Sequence, residues 1–187
     1  MNKNLSIPFL GIIFVVLFSA CVKDTDFGQI DDIAITPVVE LNLIYFDLDA
    51  GEFFDENTSN SRLVVTDTTE LRFLDDSEIQ ESLLRAEFYF RFSNSIPRDF
   101  EVDFQFLSES NDTTYVTETS VAPGTGAENA PVITEYTENV EGEGLINLTM
   151  ANRVVARVTI PSSNATLTGL LNLKSKTTYY LEFTERE

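Results

Sequence analysis

From residue 37 onward the chain alternates apolar and polar residues in short runs broken by Asn, Asp, Ser, Gly and Pro. That two-residue period belongs to half-buried antiparallel strands and not to helices. Val39, Leu41, Leu43 and Tyr45 fall on one side of a first predicted strand, and residues 63–65 and 71–74 are shorter candidates. The strongest unit spans residues 84–107. There Ala86, Phe88, Phe90 and Phe92 share one face, as do Phe100, Val102, Phe104 and Phe106 after the turn residues Asn94, Ser95, Pro97 and Asp99. It reads as a hairpin sending six Phe rings into one core, with Arg91 level with Glu101 or Asp103 on the other side.

Further strands are expected at residues 115–119, 132–140, 153–160, 167–173 and 177–183, with a Pro-Gly-Thr-Gly loop at 121–131. Only residues 76–84 look helical, with Asp76 or Ser77 as N-cap. Roughly eight to ten short strands at this spacing predict an all-β fold, an antiparallel β-sandwich of the Ig-like, Greek-key kind.

The first twenty residues follow a different rule. Lys3 supplies a positive start, residues 7–18 are mostly apolar, and Ser19 and Ala20 are the small residues that a signal peptidase needs. The run is too short for a comfortable bilayer span. Phe18-Ser19-Ala20-Cys21 resembles the lipobox of bacterial lipoproteins. The resemblance implies cleavage before Cys21, lipidation of its thiol and acylation of the freed amine, and two or more buried acyl chains anchor a protein stably. The expected organisation is therefore a signal peptide at 1–20, an acidic flexible tether at 21–36 and a sandwich domain at 37–187.

Charge narrows the partners. The chain has 31 acidic and 12 basic residues, a formal net charge of −19, and removal of the signal would take away Lys3 as well. Such a body repels nucleic acid and anionic headgroups, so no nucleic-acid partner is expected. With no His, and with its only Cys assigned to lipid, the chain lacks the parts for Ser-His-Asp or Cys-His catalysis. No enzyme activity is expected.

The lipobox, the tether Val22-Lys23-Asp24-Thr25-Asp26, the Phe-rich unit and the ending at residues 167–180 together resemble small β-sandwich lipoproteins of Bacteroidetes-type bacteria. The resemblance implies an outer-membrane lipid anchor, and Lys23-Asp24 is similar to the signal that carries some such proteins to the cell surface. Asp67-Thr68-Thr69 and Asp112-Thr113-Thr114 resemble the O-glycosylation acceptor of the same group, which makes Thr68 and Thr113 candidate acceptors on exposed loops.

One acidic cluster has a spacing with a mechanism. Asp47, Asp49 and Asp55 flank the turn at Gly51 and could wrap oxygens around calcium, although the match to an EF-hand loop is poor. A polar turn is the plainer reading. Glu138, Glu141 and Glu143, interleaved with Gly142 and Gly144, read as a solvated turn. The expected function is a membrane-anchored cell-envelope lipoprotein whose non-catalytic sandwich binds an envelope protein or surface polymer. The alternative is a carbohydrate-binding or carbohydrate-active surface lipoprotein.

Overall fold

The computed structural model describes residues 34–184. The signal segment, Cys21, Lys23-Asp24 and the tether up to residue 33 lie outside the described residues. Within Ile35–Phe183, eight strands of seven residues or more follow one another. They are β1 (Val38–Asp49), β2 (Val64–Glu70), β3 (Leu83–Asn94), β4 (Phe100–Leu107), β5 (Thr113–Val121), β6 (Val132–Val140), β7 (Arg153–Thr159) and β8 (Leu170–Leu181). Sheet I has the order β1-β8-β3-β6 and sheet II the order β2-β7-β4-β5, with every pairing antiparallel. This is the β-sandwich that the alternation predicts, and its strand order is that of an eight-stranded jelly roll. Only β4 and β5 pair with a chain neighbour.

That order changes the unit at 84–107. The six Phe rings are all buried as expected, but β3 and β4 lie in different sheets, so the segment is a corner across the sandwich and not a hairpin. Phe90 stacks on Phe104 at 4.0 Å and Phe88 lies 4.9 Å from Phe106. Ring packing between sheets thus replaces the expected backbone pairing, and Arg91 meets Lys174 and Glu135 instead of Glu101 or Asp103.

Asn94, fully buried at the end of β3, secures the corner. Its amide nitrogen donates to Arg98 O and Ala122 O, both at 2.9 Å, and its Oδ1 accepts from the Ile96 amide. The Gly-containing loop packs directly on this knot: a Cβ on Gly124 would lie 2.4 Å from the Ser95 carbonyl carbon.

Strand β1 departs from simple alternation. Leu43 and Ile44 are both buried, opposite the single residue Ser175 of β8. One extra residue forms a β-bulge and reverses the phase, so Ile44, Phe46 and Leu48 point inward while Tyr45 points out. The Ser175 hydroxyl fills the irregularity, accepting from the Ile44 amide at 3.0 Å and donating to its carbonyl at 2.5 Å. The single face proposed for Val39, Leu41, Leu43 and Tyr45 therefore ends at Leu43.

Two helices complete the domain. α1 (Ser77–Ser82) has Asp76 as its N-cap, accepting from Glu78 and Ile79, as the sequence predicts. α2 (Gly142–Thr149) occupies the segment expected to be a solvated turn, because Leu145 and Leu148, three residues apart, are buried against the core. Residues 71–74 form no strand. Arg72–Asp75 is a 3-10 turn instead, and in place of the two strands expected at 167–173 and 177–183 the single strand β8 runs through Leu170–Leu181 with two register shifts.

Candidate functional site

The two sheets differ on their outward sides. Sheet II shows solvent Glu101, Asp103, Gln105, Val155 and Arg157, with no aromatic ring among them. Across sheet I the register aligns Tyr45, Lys174, Arg91 and Glu135 in one row, and Lys176 with Tyr89 in the next. Arg85 and Tyr180 pair further along. Four basic residues and three of the six tyrosines thus collect on one face of a strongly acidic chain.

Most of these groups are committed to one another. Lys176 pairs with Glu40 at 2.6 Å, and this hydrogen bond is the chief reason its ammonium pKa is raised. The Tyr89 hydroxyl donates to Glu135 at 2.7 Å, and Arg91 lies 3.5 Å from the same carboxylate. The Arg85 guanidinium sits over the Tyr180 ring at 3.8 Å. Such exposed pairs are screened by solvent and add little stability, so they order the face more than they hold the fold.

Tyr45 and Lys174 are different. Tyr45 is 75% exposed, and neither its hydroxyl nor the Lys174 ammonium has a hydrogen-bonding or ionic partner among the described residues. They border an open groove of about 330 Å³ that also includes Asn42, Asp47, Asn172 and Ser175. Asn172 donates to Asp47 Oδ1 at 2.7 Å, which fixes both side chains.

A second polar cluster closes the sandwich between the edge strands β5 and β6. Glu138 accepts from the Tyr115 and Tyr136 hydroxyls, each at 2.5 Å, and Thr117 bonds Tyr136 at 2.9 Å. Burial first, and the Glu138 hydrogen bond second, push both phenols above their ordinary pKa. Here the carboxylate latches two sheets together. Glu138 is therefore a strand residue held by two phenols, not part of a solvated turn.

The proposed calcium residues each have a local role. Asp47 is held by Asn172, Asp49 caps the 3-10 turn Ala50–Phe53 through Gly51 N at 2.8 Å, and Asp55 accepts from Asn57 N at 2.9 Å. Hydrogen bonds from Thr58 and Asn57 lower the Asp55 pKa. Among the described residues no group of three or more His, Cys, Asp or Glu is arranged to hold a metal. Thr68 and Thr113 are both exposed, on the two opposite edge strands of sheet II and not on loops.

Sequence reasoning missed Tyr45 as a surface group and the Tyr115–Glu138–Tyr136 latch. Adjacent Leu43 and Ile44 in a strand are the bulge signal that points to the first. The latch joins residues from two strands that do not pair, and no local pattern announces it.

No family model and no curated protein matches the sequence. Solved structures match parts of the chain at low identity and low TM-score. A candidate secreted protein of Parabacteroides distasonis matches 66% of this chain and 38% of its own, at 14% identity and a TM-score of 0.44. The infectious bursal disease virus particle matches 78% of this chain and 31% of its own, at 8% identity and a TM-score of 0.44. An Arthrobacter globiformis isomalto-dextranase complexed with panose matches 62% and 16%, at 14% identity and a TM-score of 0.30. This chain spans well under half of each. None of these likenesses bears on what the chain binds. Among the described residues no helix is long and apolar enough to cross a membrane.

Proposed function

We propose that the protein is a cell-envelope lipoprotein, anchored in the outer membrane through lipid on Cys21, whose non-catalytic sandwich binds an envelope protein or surface polymer. The contact surface is the outward face of sheet I. The observation that carries this reading is the gathering of Tyr45, Tyr89, Tyr180, Arg85, Arg91, Lys174 and Lys176 there, in a chain of net charge −19. Tyr and Arg are also the residues that give most contact energy at interfaces.

The test is recovery of partners from an envelope extract by the full chain. Arg91→Ala with Lys176→Ala should lose the partner that wild type retains, whereas Arg157→Ala on sheet II should keep it. Equal recovery by all three, or turnover of a glycan or peptide by the purified protein without any partner, overturns the reading. Cys21→Ala tests the anchor separately. That variant should leave the membrane fraction, and its persistence there as a mature, cleaved protein would contradict lipid anchoring.

A further inference from the structure

We propose that the groove beside Tyr45 is a subsite for a neutral, polyhydroxylated saccharide within a surface polymer. This rests on the contact-face reading and names the ligand class for it. Three features of the groove point the same way.

The first is the ring. Tyr89 lies beside Lys176 and Tyr180 lies under Arg85, but Tyr45 is uncovered. The bulge at Leu43 and Ile44 turns it outward, and Ser175 holds that bulge from the neighbouring strand. A flat ring on a fixed strand suits the apolar C–H face of a sugar, because little side-chain freedom is lost on contact.

The second is the polar set. Asp47 offers its second carboxylate oxygen, Asn172 its carbonyl oxygen and Lys174 its ammonium, none of them bonded to a described residue. A sugar hydroxyl both donates and accepts. Two acceptors and one donor around a ring platform match neighbouring hydroxyls better than they match a lone anion, which Asp47 would repel.

The third is charge. The formal charge of −19 repels a polyanion at a distance and repels a second copy of this chain equally. A neutral polymer feels neither penalty. The groove, at about 330 Å³, also lies at the small end of the range for ligand sites.

Affinity electrophoresis of the full chain in detergent tests the proposal, with gels containing a neutral glucan, mannan or xylan, or a polyuronate. At least one neutral polymer should retard wild type. Tyr45→Ala should weaken that binding roughly tenfold, equivalent to about 1.4 kcal/mol, at an unchanged melting temperature. Lys174→Ala should weaken it less, and Arg157→Ala on sheet II should leave it unaltered. Retardation by none of the neutral polymers, or by the polyuronate alone, overturns the ligand class. Equal binding by wild type and Tyr45→Ala overturns the groove. If the Arg91 and Lys176 pull-down succeeds while these gels fail, the contact face stands and the saccharide does not; if both fail, the face itself is wrong.

Discussion

The inward and outward sides of sheet I both carry aromatic rings, and they are built to different ends. On β3, Phe88, Phe90 and Phe92 are each 0% exposed, and Phe88 and Phe90 pack against Phe106 and Phe104 of sheet II. One residue away, Tyr89 and Arg91 are partly exposed and share one surface carboxylate, Glu135. The inward rings are hydrocarbon removed from water, worth about 1.5–3 kcal/mol apiece. The outward rings gain little by being there, since sheet II manages its outer side with no ring at all. Rings that the fold does not need are the ones to examine for binding.

The sharpest way to break this comparison is to remove one ring from each side of β3. Phe90→Ala should cost about 3–5 kcal/mol in urea unfolding, because its ring fills space between Phe104 and Tyr136. Tyr89→Ala should cost less than about 1 kcal/mol. Equal losses would mean that the two sides are not distinct.

The next effect lies at the corner where inner and outer surfaces meet. Asn94→Ala leaves a buried amide and two part-buried carbonyls without their partner, a loss of roughly 2–3 kcal/mol. Gly124→Ala should be at least as harmful, since backbone atoms occupy the position of its Cβ. Stability of Asn94→Ala within error of wild type would show that the corner is held by ring packing alone.

A smaller effect is the alkaline response of the inward tyrosines, whose phenols are raised chiefly by burial, whereas the outward Tyr89 is raised chiefly by its hydrogen bond to Glu135. Burial pushes the Tyr179 phenol up to about 12, and burial with the Glu138 hydrogen bond raises Tyr115 and Tyr136. A raised native pKa means that the folded state holds protons that the unfolded state gives up near pH ~10. The associated stability is therefore whole below pH ~10 and falls as pH rises through the native values. Urea midpoints should be flat across neutral pH with respect to these groups and drop steeply in alkali. Glu138→Gln should bring Tyr115 and Tyr136 partway back toward ordinary titration, leaving the burial contribution in place. An unchanged tyrosinate absorbance curve in that variant would remove the latch.

The core was legible in the sequence because Phe88, Phe90, Phe92, Phe104 and Phe106 repeat with the strand period, and that period decides which side faces inward. It does not decide which strand is the neighbour. The pairing of β3 with β8 and β6, and of β4 with β7 and β5, is made over long sequence separations, so a Pro-containing corner passed for a hairpin. On β1 the reading failed at one residue. A bulge opposite Ser175 inverted everything after Leu43 and hid Tyr45, the exposed ring of the candidate site. α2 was obscured by Gly142 and Gly144, poor helix formers that a short helix tolerates once Leu145 and Leu148 are buried.

The smallest expected effect concerns calcium at the outer end of β1. Asp47, Asp49 and Asp55 have the spacing of possible ligands, but each already fixes its own neighbour: Asn172, the Gly51 amide and the Asn57 amide. A cation would have to draw three carboxylates out of these bonds into one shell of six to eight oxygens. Any divalent ion also screens the charge of −19, so a rise in melting temperature alone says nothing about a site. Calcium and magnesium at equal ionic strength should therefore raise it equally, in wild type and in Asp49→Asn alike. A specific site binds only the folded state and adds stability with ligand concentration. A larger rise with calcium than with magnesium, abolished in Asp49→Asn, would turn this turn into a metal centre and place a second binding feature beside the Tyr45 groove.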